Sequence, residues 1–348
     1  MPPSVLMLGW GFPPNITGGL DVHVGELFTG LRDDLGVDVT LVLPAEFAPD
    51  DEPGLEPVET GEGDVAARVG QLSDRFAELA PDHDVIHTHD WFGYGPGRSA
   101  ARESDATWVS SFHSLASDRN IDPPSREVET ERRLANAADT NIAVSEIVRE
   151  DIRELYGADA RVVYNGFSTP EFSGRDVRSD LGIDGEMLFF VGRHTDQKGI
   201  AHLLYAMKKL RGRDVTLVVG GSGHQTEQLK RFSELIGIDD QVTFVGYVPE
   251  AELGDYYAAA DAFVSPSFAE PFGITITEAL EAGTQVVSTR CGAAEVLPDD
   301  CLVEVTPDSE SIVDGLITAL DRESPPTYER RDWSAVAEDT LAVYEDVA

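Results

Sequence analysis

The sequence predicts an α/β protein of two doubly wound domains that face a central cleft. Three observations carry the prediction. Short apolar runs alternate with helix-period segments from end to end of the 348 residues, a βαβα order that implies parallel sheets covered on both faces. The alternation breaks once, over the polar, Gly-, Ser- and Asp-rich stretch 167–186, and then resumes. The length suits two domains at ~100–200 residues each.

The first domain is expected over 1–168. "SVLMLGW" (4–10) reads as its first strand. The next segment, 19–36, sets Leu20, Val24, Leu27, Phe28, Leu31 and Leu35 on one stripe, which is a helix pattern. Further strands are expected at 37–43, 84–89, 107–113, 140–145 and 160–166, with helices including 64–80 and 145–156. The acidic segment 45–63 reads as a mobile loop. A linker over 169–186 leads to a second domain at 187–325. Its strands are expected at 187–192, 214–220, 241–246, 261–265, 284–289 and 301–305. Its helices are expected at 199–211, 224–236, 250–260, 274–282 and 308–321, the first carrying the stripe Ile200, Leu203, Leu204, Met207 and Leu210. Residues 326–348 are expected to form a C-terminal helix that packs back on the first domain.

Composition narrows the function. Apolar residues make up 41%, enough for ordinary cores. Acidic residues number 64 against 26 basic ones, a formal net charge of −38. Only Lys198, Lys208, Lys209 and Lys230 are lysines. A folded chain so acidic repels itself, which fits a cytoplasmic enzyme from a cell with high internal salt. Nucleic acid is excluded as a partner, because phosphate neutralisation needs basic patches. An anionic membrane is disfavoured for the same reason. No run approaches the ~18 apolar residues of a membrane span. The N-terminus has no basic flank or small-residue cleavage site and reads as a strand, not a signal peptide. Cys291 and Cys301 are the only cysteines, so neither a disulfide framework nor a cysteine zinc site is expected.

Ligands of open α/β sheets bind beyond the carboxyl ends of the strands, so the chemistry is sought there. "VGRHTDQKG" (191–199) holds Gly192, Arg193, Lys198 and Gly199 in a strand-to-helix turn. Glycines admit a ligand close to the backbone, and an Arg with a Lys neutralises a diphosphate. The alternative is a loop with two solvated cations. "VVGGSG" (218–223), with Gly221, is a Gly-rich turn of the kind that cradles phosphate or simply turns tightly. A full GxGxxG is absent, which argues against a nicotinamide or flavin enzyme. Gly18 and Gly19 in "NITGGLDVH" (15–23) stand at a helix N-terminus with free amides, or in a flexible loop.

"HTHDWFG" (87–93) ends a strand with His87, His89 and Asp90, and "SFHS" (111–114) ends another with His113. A sugar contact, a structural role and a metal site are all chemically open, with metal the weakest. The lone Asp-x-Asp, 82–84, precedes its strand on the side away from the cleft. Finally, "EPFGITITE" places Glu270 in a loop, Phe272, Gly273 and Ile274 at the helix start, and Glu278 about a turn inside. Unpaired amides beside two carboxylates suit a ring of hydroxyls.

These motifs together resemble the retaining nucleotide-sugar glycosyltransferases of family 4 and their glycogen and starch synthase relatives, which have the GT-B fold of two Rossmann-like domains. The resemblance covers nearly the whole chain and is densest over 187–298. Its signature is Glu, seven residues, Glu: Glu270 to Glu278. "GRHTDQKG", "GGSG", "VSEIV", "YNGF" and "GGLDVHVGEL" fall in the family's order. The resemblance implies catalytic roles for His113, Arg193, Lys198 and Glu270. Arg193 and Lys198 would hold the donor diphosphate, with Gly18, Gly19, Gly192 and Gly221 supporting. Glu278 would hold ribose, and Glu270 with the amides of Phe272, Gly273 and Ile274 the donor sugar. His113 would touch that sugar near the reacting carbon. The base would lie near Gly246, Tyr247 and Val248, and His89 and Asp90 would face the acceptor. The family is usually metal-independent, so neither metal nor cofactor is expected. The expected substrates are a nucleoside-diphosphate sugar, glucose preferred, and a hydroxyl acceptor, a glycan preferred. One departure is "RCGAAEV" (290–296), where relatives more often pair glycines. The competing readings are a nucleotide-sugar 2-epimerase and a non-catalytic sugar-nucleotide or glycan binder.

Overall fold

The computed structural model describes residues 2–16, 18–322, 324 and 326–348. The chain divides into two compact units: 1–117 with 122–166 and 331–348, and 118–121 with 167–330. The strands run β1 (Val5–Leu8), β2 (Val39–Pro44), β3 (Leu55–Val58), β4 (Val85–His89), β5 (Thr107–Phe112), β6 (Thr140–Ala143), β7 (Arg161–Val162), β8 (Glu186–Val191), β9 (Val215–Gly220), β10 (Val242–Gly246), β11 (Ala262–Ser265), β12 (Gln285–Ser288) and β13 (Leu302–Glu304).

Unit 1 holds one sheet in the order β3-β2-β1-β4-β5-β6-β7, paired in parallel throughout. The order reverses at β1, where the chain steps first outward to β2 and β3 and then across to β4. Its core includes Val5, Met7, Leu27, Phe28, Leu41 and Val85. The helix Trp333–Val347 adds Trp333, Val336, Val343 and Tyr344 to the same core, so the chain's last helix belongs to this unit. Unit 2 holds the parallel sheet β10-β9-β8-β11-β12-β13, reversing at β8. Leu188, Phe190, Leu203, Leu217, Val264 and Leu316 are among its core residues. Two parallel, doubly wound sheets, one per unit, match the expectation of two Rossmann-like domains.

Several expected boundaries move. The segment 45–63 is not a bare loop: β3 lies within it and pairs with β2. This strand escapes a sequence reading because it is a short, half-exposed edge carrying Pro57, which only an edge strand tolerates. The stretch 169–186 is not a free linker. It carries the helix Val177–Leu181, and the Asp255 carboxylate accepts from Ser173 N at 2.9 Å, Ser173 Oγ at 2.6 Å and Gly174 N at 3.1 Å. Helices at Tyr94–Glu103 and Ser125–Ala137 are additional to those the apolar periodicity predicts. The expected strand 160–166 contracts to β7, and the first helix is α-helical over Gly19–Thr29 with a π turn at Gly30–Asp34. Among the described residues, no helix is long and apolar enough to cross a membrane.

Candidate active site

In unit 2 the residues singled out from the sequence gather on the loops after β8, β9, β10 and β11, adjacent strands of one sheet. After β8 the backbone runs through Gly192, Arg193 and His194 into a short 3-10 turn, Asp196–Lys198, before the helix Ile200–Lys209. Buried His194 fixes this loop: Nδ1 lies 2.9 Å from Thr226 Oγ1 and Nε2 3.2 Å from the Gly220 carbonyl. Arg193 is exposed, with no ion-pair partner among the described residues. Gly199 sits at φ +64, and a Cβ there would lie 2.1 Å from Pro266 O, so the Lys198 turn presses directly on the loop after β11.

That closeness sets the central contact. Lys198 Nζ donates to Glu270 Oε2 at 2.8 Å, and the same oxygen accepts from Ser267 Oγ at 2.9 Å and Ser265 Oγ at 3.4 Å. The Glu270 side chain is only 10% exposed and that of Lys198 26%. Charge-assisted partners of this kind offset the cost of burying a carboxylate. Beyond it, buried Phe272 and Gly273 lead into the helix Ile274–Glu281. That helix starts without a side-chain cap, so its first amides are left for another partner. Glu278 is 5% exposed and accepts from the Tyr257 hydroxyl at 2.9 Å. Burial, and then the Glu250 charge, push its carboxyl up to about 8.

The loops after β8, β9 and β10 are laced by backbone. Gly221 N donates to Gly246 O at 2.7 Å. Gly221 has φ +96, and a Cβ would fall 2.0 Å from Gly192 O. Beside them Val248 is buried while Tyr247 is 74% exposed, a ring available to a flat ligand. Thus Gly192, Gly221, Tyr247 and Val248 form one group, and Lys198, Glu270, Phe272, Gly273 and Ile274 another, on neighbouring strand ends. Glu278 lies deeper, under Tyr257.

In unit 1, Gly18 and Gly19 are exposed at the start of the helix Gly19–Thr29, which also lacks a side-chain cap. His89 ends β4 and His113 follows β5, and His89 Nδ1 lies 3.1 Å from His113 Nε2. Asp90 stands at φ +50, a strained conformation for a non-glycine residue, with its Oδ1 accepting from His113 N at 2.8 Å. The structure adds two histidine contacts that sequence reasoning does not assign. His23, one turn inside its helix, brings its ring centroid to 4.4 Å from His113. His87 lies with Nδ1 2.6 Å from the Tyr344 hydroxyl and Nε2 2.7 Å from Ser111 Oγ. His23 lies within the motif "GGLDVHVGEL", but a histidine inside a helix gives no local sign of facing a strand end. Burial and neighbouring imidazoles lower His87 and His113 to about 3 and His23 and His89 well below the usual value, so all four rings are neutral at pH 7.

Residues 17–171 match the family described as Glycosyltransferase Family 4, and 176–339 the glycosyl transferases group 1. The chain is 31% identical to the alpha-maltose-1-phosphate synthase of Mycobacterium tuberculosis (strain CDC 1551 / Oshkosh) over 402 aligned positions covering 99% of each chain. It is 28% identical to a glycogen synthase of the same organism, covering 98% of this chain and 94% of that one. Its fold is similar to that of the Anabaena protein HepE solved in complex with UDP-glucose, with a TM-score of 0.74, 19% identity, and 99% and 95% of the two chains covered.

Proposed function

The chain belongs to the family 4, group 1 glycosyltransferases, and from that premise we propose that it is a cytoplasmic, retaining hexosyltransferase that needs no metal. It moves glucose from a nucleoside diphosphate to a glycan hydroxyl. The observation that carries the proposal is the Lys198–Glu270 contact beside an uncapped helix start. One strand end offers a cation, and its neighbour offers a carboxylate and free amides.

Arg193 and Lys198 take the donor diphosphate, and Lys198 then divides its charge between phosphate and Glu270. Glu270 and the amides of Phe272, Gly273 and Ile274 hold the sugar hydroxyls. Glu278 takes ribose, and Tyr247 and Val248 the base. Breaking the bond between the anomeric carbon and the phosphate oxygen puts positive charge on the sugar and negative charge on the leaving diphosphate. Fixed cations stabilise that developing charge, and such preorganised stabilisation usually contributes more to catalysis than any other single effect. The acceptor oxygen attacks from the face the diphosphate leaves. A phosphate oxygen takes the acceptor's proton as the new C–O bond forms, so configuration is retained and no carboxylate acts as nucleophile. The names of the glycogen synthase relative and of the UDP-glucose complex support glucosyl transfer.

The test is a donor screen at multimolar KCl. UDP-, ADP- and GDP-sugars are offered with and without a glucan primer, and released nucleoside diphosphate is measured. Release that rises with primer is the expected result. Release without a primer effect moves the acceptor to another hydroxyl compound. Tight binding of one donor with no release overturns the enzymatic reading in favour of a non-catalytic binder.

A further inference from the structure

The histidine cluster of unit 1 has features that sugar contact alone does not need. His23, His89 and His113 come from a helix and two different strand ends, and one nitrogen from each lies within 4.8 Å of the others. His23 Nδ1–H donates to Asn165 Oδ1 at 2.8 Å, which leaves Nε2 as a bare lone pair. His23 Nε2 is fully buried and lacks a hydrogen-bond partner. Orphaned buried nitrogens are costly and call for water or an ion. His87, in the same patch, is different: Tyr344 and Ser111 engage both its nitrogens, which excludes it from any ligand set.

We propose that His23, His89 and His113 form a three-imidazole site for one divalent cation of the zinc class, its fourth position open beside partly buried His113. The donor set decides the ion. Three nitrogens with no free carboxylate suit zinc or cobalt, whereas magnesium and calcium demand oxygen. Zinc–nitrogen bonds of about 2.0–2.1 Å put tetrahedral ligand atoms about 3.4 Å apart, so side-chain shifts of about an ångström close the site. The 3.1 Å between His89 Nδ1 and His113 Nε2 is already near that spacing. Asn165 acts as the outer partner that fixes the tautomer and direction of His23, a recurrent device at metal sites. An ion here engages His113 and is therefore inhibitory for any ligand that needs that ring.

Co2+ titrated into the full-length protein, followed by visible absorption, tests the proposal. The expected result is one tetrahedral Co2+ per chain, bleached by one equivalent of Zn2+. His23→Asn abolishes the tetrahedral band, and Asn165→Leu weakens binding about 10–100-fold. His202→Gln, a histidine of unit 2, leaves it unchanged. Only the weak octahedral absorption of surface carboxylate sites, or a tetrahedral band undiminished in His23→Asn, overturns the proposal. Wild-type crystals soaked in Zn2+ give a reading free of any folding defect. An anomalous peak among the three imidazoles supports the site, and peaks found solely elsewhere refute it.

Discussion

Replacing Lys198 by alanine is expected to slow transfer by about 10²–10³-fold, or 2.7–4 kcal/mol of transition-state stabilisation. The same change has a smaller structural cost. It removes one charge-assisted hydrogen bond, worth about 1.5–3 kcal/mol. The pair is partly wet, with Lys198 26% and Glu270 10% exposed, and Glu270 Oε2 keeps its hydrogen bond from Ser267. Solvent screening at a partly wet pair lowers this to about 1–2 kcal/mol. At about 2–4 °C per kcal/mol, the melting midpoint falls by about 2–8 °C. Such a loss is small against a total stability of about 5–15 kcal/mol, so the variant stays folded at assay temperature. The assay is nucleoside diphosphate release under single-donor conditions, beside a thermal melt of the same sample. Lys230→Ala is the control, since that lysine pairs with Glu227 on an exposed helix face. A Lys198→Ala rate within tenfold of wild type, at unchanged donor affinity, would refute the electrostatic argument.

Three other outcomes follow from the geometry. Gly18 is extended, and a Cβ there meets nothing within 4 Å. Gly18→Ala is therefore expected to leave stability within about 0.5 kcal/mol while cutting transfer at least tenfold, read by urea melts and the same release assay. Gly221→Ala strains φ +96 and drives a methyl towards Gly192 O, so stability falls by at least about 2 kcal/mol, whereas Gly212→Ala, with open space, changes little. Glu278 has a raised carboxyl pKa, so between about 4.5 and 8 the folded state holds a proton that the unfolded chain has released. Its contribution is full below about 4.5, declines by about 1.4 kcal/mol per pH unit as pH rises, and is gone above about 8. Denaturation across pH 4–9 should show that slope in wild type and lose it in Glu278→Gln; equal slopes would contradict the buried acid.

Most strands were legible because they are apolar runs flanked by turn residues, the mark of parallel strands covered on both faces. The unit 2 site was legible for a related reason. Its glycines, Lys198 and Glu270 follow strands directly, and sheet topology brings strand ends together without any long-range knowledge. β3 and the segment 169–186 were misread because their order comes from distant partners. β3 is defined by its pairing with β2, and Ser173 and Gly174 by a carboxylate some eighty positions on, Asp255. The burial of Glu278 under Tyr257 was equally invisible, since nothing in the helix's own residues says which neighbour covers it.

The sequence by itself determined the alternation of strand and helix, the break between two α/β series, the acidic surface, and the turns that carry Arg193, Lys198, Gly221 and Glu270. All of these are local properties of composition and period. The tertiary structure alone decided that Lys198 rests on Glu270 and that His23 meets His89 and His113. Those contacts join residues 66 to 90 positions apart in the chain. Their energy depends on burial and distance, which exist only once the sheets have formed.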